Sequence, residues 1–308
     1  MELLVVNYHY FREDIYPSGI YPISRKIFLT QVEQLAKRYI FISQTELIRC
    51  IKNNNYPDGK YCLLTFDDGL KEQMEAFRLL QSKGIPAVFF IPTDPIAHDM
   101  VLDVHQLHFI RSQKADTYLY EMLDVAYHIS TYSFDMDDLK IQYRYDNELG
   151  RKVKYFLNFE LGNVERTAFI RRAFNELGQE EASFSRQLYM DQDDLIELSA
   201  AGALGSHGSS HRPLAQMSYQ EARQDILQSI HTLEKWTGQP VQSFSYPYGG
   251  KTAVDENLGS ILKETQVAFA LTMQRGVNTT ENFQNPFFLK RIDTNDAPGE
   301  KFKSTAYC

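Results

Sequence analysis

Two adjacent carboxylates, in Thr65-Phe66-Asp67-Asp68-Gly69, close a continuous apolar run. Like charges side by side at the edge of a buried strand repel each other and lose hydration, a cost that an intervening cation or proton removes. Taken alone, Asp-Asp-Gly is also a common turn. A second short apolar run is followed by Gly205-Ser206-His207-Gly208-Ser209-Ser210-His211-Arg212-Pro213. Imidazoles four residues apart converge on one ion from a helical turn or a tight loop, and Gly208, Ser209 and Ser210 favour the loop. By themselves, two of the chain's eight histidines on a solvated loop would serve as well.

Taken together the two strings say more, because all these groups sit where parallel strands end, the face on which barrel enzymes carry their sites. One carboxylate and two imidazoles make three ligands with a position left for water, as in a catalytic zinc-like site. The other carboxylate remains available as a base. A third string, Phe244-Ser245-Tyr246-Pro247-Tyr248-Gly249-Gly250, runs from a strand into a Pro/Gly-shaped turn. Pro247 fixes φ and Gly249 relaxes it, so the Tyr248 amide is expected to face inward as an oxyanion donor.

The elements that must position these groups are visible as alternating short apolar runs and amphipathic segments. Leu3–Asn7, Tyr61–Phe66, Ala87–Ile91, Ala203–Ser206, Gln242–Tyr246, Val267–Leu271 and Phe287–Ile292 read as strands buried on both faces of a parallel sheet. Between them, Ser218-Tyr219-Gln220-Glu221 fits a capping box. Tyr219, Ala222, Ile226, Ile230 and Leu233 then form a stripe that ends before Gly238 and Pro240. Leu70, Met74 and Phe77 predict another helix before Gly84. Strand then helix, repeated seven times, predicts an α/β fold: an irregular (β/α)7 barrel over residues 1–93 and 190–308. Residues 94–189 carry helical patterns at 101–113, 145–159 and 166–177 and read as an inserted helical subdomain, either a cap over the barrel mouth or an oligomer contact. His105 and His108, three apart there, read as one helical face.

Composition narrows the field. The 308 residues are 43% apolar and 23% charged, which excludes disordered and collagen-like chains. A net charge of −8 without a lysine or arginine stripe argues against nucleic acid. No apolar run approaches the roughly 20 residues of a membrane span. Met1-Glu2-Leu3-Leu4-Val5-Val6-Asn7 lacks the basic start of an export signal, and the widely spaced Cys50, Cys62 and Cys308 form no disulfide framework. A cytoplasmic protein is expected.

In order and spacing these strings resemble the polysaccharide deacetylase family, metal-dependent carbohydrate esterases acting on chitin, peptidoglycan and biofilm polysaccharides. Thr65–Gly69 and the His207/His211 pair match its first two motifs. The resemblance implies a barrel of about seven strands over residues 1–93 and 190–296. It also implies Asp67 as general base, with Asp68, His207 and His211 holding one divalent metal, zinc by default but equally iron, cobalt or nickel. Tyr246 and Pro247 are the expected substrate contacts. Three departures stand out. Gly208 occupies the place of a Ser or Thr that braces the metal loop, so a less rigid loop is expected. Ser245 replaces the arginine that opens the third motif, and Arg291, in Leu289-Lys290-Arg291-Ile292-Asp293, is the candidate to supply that charge or else forms an ordinary surface salt bridge. No histidine follows His231. Asn7-Tyr8-His9-Tyr10 is similar to the tyrosine–histidine element of family members with permuted motif order, which makes His9 the candidate general acid.

The expected reaction is hydrolysis of an N-acyl, in the first place N-acetyl, group on an amino sugar or surface-polysaccharide precursor. A metal amidohydrolase acting on a cyclic ureide or formamide, and a non-catalytic carbohydrate-binding relative, are the competing readings. Asp67, which metal binding alone does not require, speaks for catalysis.

Overall fold

The computed structural model describes residues 1–16, 18–143 and 146–299. It divides into two compact units, one of Met1–Glu13, Pro22–Met100 and the chain from Ser185, the other of Asp14–Tyr21 with Val101–Phe184.

The first unit is a curled parallel sheet, a half-barrel covered by helices. Its strands are β1 (Glu2–Tyr8), β2 (Ile40–Phe41), β3 (Lys60–Phe66), β4 (Ala87–Ile91), β5 (Leu204–Ser206), β6 (Ser243–Ser245), β7 (Phe269–Leu271) and β8 (Ile292–Asp293). They run β7-β6-β5-β4-β3-β1-β8, with β2 beside the start of β3, and every pairing is parallel. Six of the seven expected strands appear: β1 runs one residue further at each end and β3 one residue further at its start, and the other four lie at or inside their predicted bounds. The seventh does not: residues 287–291 leave the sheet except for one bridge between Leu271 and Leu289, and only Ile292–Asp293 pairs. Pro286, which lacks a donor and suits a helical first turn, starts a 3₁₀ turn over Pro286–Phe288 instead. The last strand–helix repeat is thus irregular, and the two-residue β2 went unforeseen because two residues carry no periodicity.

The side chains of the sheet alternate between two apolar layers. Leu4, Val6, Leu64, Phe66, Phe89, Leu204 and Phe244 join the layer under the helices. Leu3, Val5, Leu63, Val88, Phe269 and Leu271 fill the opposite, concave layer. Followed toward the carboxyl ends of the strands, the concave series turns polar: Leu3-Val5-Asn7 on β1, Leu63-Thr65-Asp67 on β3, Gly205-His207 on β5, Ser243-Ser245 on β6. Period-two geometry therefore delivers four chemically active side chains to one mouth.

The helix Tyr219–Thr237 shows the expected capping box between Ser218 and Glu221, and it ends on Gly238 in the left-handed region. Ala222, Ile226, Ile230 and Leu233 are buried beneath it. Gln73–Ser82 is the helix expected before Gly84. Cys62 is fully buried, which pushes its thiol up, and Cys50 is half-buried. Cys308 lies outside the described residues.

The second unit is helical, built mainly on Asp103–Gln113, Asp116–Tyr127, Glu148–Tyr155 and Asn163–Asn175 around Leu119, Leu123, Val153, Leu157 and Phe174. Arg111 is 1% exposed in it and is held by Asp116 at 2.6 Å and Asp146 at 2.7 Å, while Lys154 meets the other oxygen of Asp146. His105 and His108 face each other along one helix, their rings 6.2 Å apart, and belong to no three-residue metal cluster among the described residues. No described helix is long and apolar enough to cross a membrane.

Candidate active site

Adjacent residues of a strand point to opposite faces, so Asp67 and Asp68 could not both reach the mouth if β3 simply continued. Asp68 instead adopts a left-handed backbone, φ +79°, which turns its carboxylate back beside that of Asp67. His211 (φ +54°) and Tyr248 (φ +61°) share this uncommon conformation. Non-glycine residues of this kind cost on the order of 1 kcal/mol each and collect where function over-determines the backbone. Sequence reasoning expected Gly249 to take that conformation, and it does at φ +57°, but Tyr248 does so as well. A side chain at Gly249 would meet the Met273 amide at 2.6 Å.

The result is a tight buried cluster. The ligand atoms of Asp68, His207 and His211 lie within 4.8 Å of one another. Asp68 Oδ1 is 3.1 Å from His211 Nε2 and 3.4 Å from His207 Nε2. His207 Nδ1 lies 2.6 Å from the Ser245 carbonyl, which can only accept, so Nδ1 carries a proton and Nε2 is the nitrogen turned to the cluster, its lone pair free for a cation when the ring is neutral. Burial alone would lower the His207 pKa, but Asp67 and Asp68 outweigh it and raise it. Such a pocket draws positive charge, and its two imidazoles and one carboxylate suit a divalent cation of the zinc type.

Asp67 stands just outside that group, its Oδ2 3.8 Å from His207 Nε2. Arg291 donates to it through Nη1 at 3.0 Å and Nη2 at 2.6 Å, and Nη2 also donates to Ser245 Oγ at 2.8 Å. Ser245 Oγ in turn donates to Asp67 Oδ2 at 3.2 Å. Arg291 is 1% exposed, which overturns the reading of a surface salt bridge: the guanidinium arrives from the turn before β8 and brings to Asp67 the charge that Ser245 does not carry. Burial by itself would raise the Asp67 pKa. The Arg291 charge, helped by His207 and His9, more than reverses this and keeps the carboxyl below its usual range.

Among the remaining expected residues, His9 lies half-buried at the end of β1, its Nε2 3.5 Å from the Asn7 amide, close enough for its charge to act on Asp67. Tyr248 is 41% exposed and its ring lies 5.1 Å from that of His211. Tyr246 is not at the mouth. It is fully buried in the layer under the helices, packed on Phe244 and Phe288, because as the residue after β6 it continues the alternation of Phe244, away from the concave face. Its burial overturns the expected substrate contact there, whereas the neighbouring Tyr248 ring is exposed. Pro247 is likewise buried, its ring beside Gly208.

Two participants were missed. Asn7 donates to Asp67 Oδ2 at 3.2 Å. Gln73, fully buried, ties β1 to β3 by donating to the His9 carbonyl at 2.9 Å and the Asp67 carbonyl at 2.6 Å. A polar residue closing an otherwise apolar strand was the available signal for Asn7; Gln73 offered none beyond its place one turn after Asp-Asp-Gly.

A parallel half-barrel with a buried Asp-His-His group and a second carboxylate at the carboxyl ends of its strands defines the class: an α/β scaffold of the irregular (β/α)7-barrel type. Residues 147–270 match the family model "Polysaccharide deacetylase". The matched span begins within the helical unit and holds His207 and His211, but not Asp67 or Asp68. No curated protein matches the sequence. Among solved structures the chain is similar to the Streptococcus pyogenes deacetylase PplD in complex with acetate, at 16% identity and TM-score 0.60 over 97% of this chain and 95% of that one. It is also similar to IcaB from Ammonifex degensii, at 18% and 0.56 over 94% and 91%. The BpsB deacetylase domain from Bordetella bronchiseptica follows at 17% and 0.56 over 95% of each chain. Likenesses at this identity show the fold.

Proposed function

We propose that this chain hydrolyses the N-acetyl group of an amino-sugar unit, with one divalent cation, zinc by default, held by Asp68, His207 and His211. The observation that carries the reading is the division of labour between neighbours: Asp68 faces both imidazoles, whereas Asp67 is kept ionised by Arg291 and lies beside them. A bound cation would supply Lewis acidity, polarising the amide carbonyl and making water easier to deprotonate. Asp67 takes the proton from the attacking water. Arg291, Ser245 and Asn7 orient its oxygens. The Tyr248 amide, presented by the left-handed turn, donates to the carbonyl oxygen as negative charge develops on it. His9 protonates the departing amine nitrogen. Similarity to a deacetylase solved with acetate favours acetyl over other acyl groups.

The test is metal analysis of the purified protein together with acetate and formate release from a panel of N-acyl amino sugars. The expected outcome is one metal per chain and acetate release that Asp67→Asn abolishes while the metal stays. Release at the parent rate by Asp67→Asn would remove Asp67 as the base.

A further inference from the structure

The segment His207–His211 must aim two imidazoles at one point, yet it belongs to no helix or strand. Neighbouring backbone holds its carbonyls: the Thr93 amide donates to the Gly208 carbonyl at 3.2 Å and the Asp94 amide to the Ser209 carbonyl at 3.0 Å. Its amides are held by one carboxylate. Asp225, 6% exposed on the helix Tyr219–Thr237, accepts from the Ser209 amide at 2.8 Å, from the Ser210 amide at 3.0 Å and from Ser210 Oγ at 2.5 Å. Ser209 Oγ returns a bond to the Asp225 carbonyl at 3.1 Å. Four residues further along the same helix, Ser229 Oγ lies 2.8 Å from Ser206 Oγ, the residue just before His207. One helix therefore sets both the start of the loop and its middle.

Gly208 belongs to the same device. A Cβ at position 208 would fall 2.7 Å from Asp225 Oδ1, closer than such contacts occur, and the backbone there has φ +73°. A side chain at 208 and a carboxylate arriving from the helix compete for one space. Gly208, expected to leave the loop without the usual brace, is what admits a different one.

We infer that Asp225 is a positioning residue for the candidate cation site, holding His207 and His211 at ligating separation through the two amides between them. This rests on the reading that Asp68, His207 and His211 bind a divalent cation. Charge-assisted acceptance of successive amides is a strong and directional restraint, and partners of ligating residues typically set metal affinity by 10–100-fold.

The experiment measures Zn²⁺ affinity of the full chain by competition with a chromophoric chelator for the parent, Asp225→Asn, Asp225→Ala, Gly208→Ala and the Gly208→Ala/Asp225→Ala pair, with thermal melts of the metal-free proteins alongside. The expected result is a loss of about 10–100-fold in affinity for Asp225→Ala. Asp225→Asn, which keeps one acceptor oxygen, recovers part of it and covers the case in which the alanine variant does not fold. Gly208→Ala is expected to weaken Zn²⁺ binding in the parent by more than in the Asp225→Ala background, because the backbone strain is common to both and only the clash with Oδ1 is relieved. Parent-like affinity in Asp225→Ala and Asp225→Asn, or strictly additive effects at 208 and 225, overturns the inference while leaving the metal reading intact. A parent that binds no Zn²⁺ displaceable by His207→Ala overturns both.

Discussion

Arg291 and Asp67 are 224 residues apart in sequence, yet they meet through two parallel hydrogen bonds of 3.0 and 2.6 Å at the floor of the candidate site, both nearly excluded from solvent. A bidentate guanidinium–carboxylate pair fixes the orientation of the carboxylate as well as its charge. Replacing either partner leaves the other buried and unmatched, which costs about 3–5 kcal/mol in comparable pairs.

Arg291→Gln is therefore expected to raise the Asp67 pKa, since the guanidinium is what reverses the effect of burial. A base must be ionised to act, so the acidic limb of the pH–rate profile for acetate release should move to higher pH, with a lower melting temperature. Arg291→Lys keeps the charge but loses the fork, and should fall between the two. An acidic limb unmoved in Arg291→Gln would dissociate this arginine from the base.

His9→Ala is expected to slow turnover by about 10²-fold or more, the usual contribution of a positioned general acid, with little loss of metal. The slowing should be smaller on substrates whose leaving amine is less basic. Equal rates for parent and variant would take His9 out of the reaction.

Metal loading should stabilise the chain by mass action, roughly 2.7 kcal/mol at a free Zn²⁺ concentration 100 times the dissociation constant. His211→Ala and Asp68→Ala are expected to abolish the rise in melting temperature on adding Zn²⁺, whereas Asp67→Asn should retain it. A full rise in His211→Ala would mean that the ion binds elsewhere.

In the helical unit, burial would raise the Asp146 pKa, but Lys154 and Arg111 reverse this and hold it low. Its folded pKa lies below its unfolded one, so the stability it contributes is complete above about pH 4 and is lost as pH falls through the lower folded value. Asp146→Asn should lower the melting temperature at neutral pH and flatten the dependence of melting on acid. Parallel melting curves for parent and variant below pH 4 would contradict this.

What could be read from the chain alone was whatever repeats or stands next to something that repeats. Apolar runs and capped amphipathic segments announced an α/β scaffold, and charged or imidazole side chains at the ends of those runs announced a site, because strand ends are where a parallel sheet exposes chemistry. Pairs drawn from distant stretches were not readable in this way. Arg291 could be named as a candidate for the missing charge, but nothing in residues 287–292 decides between Asp67 and a surface partner, or says that Pro286 prevents the strand expected there or that Tyr246, adjacent to the turn, faces the opposite layer. Gly208 looked like a missing support because its replacement, Asp225, lies on another helix. Local periodicity decided where the reactive side chains fall along each strand. Tertiary packing decided which of them meet, since a left-handed residue or a buried guanidinium is tolerated only where the surrounding fold supplies its partner.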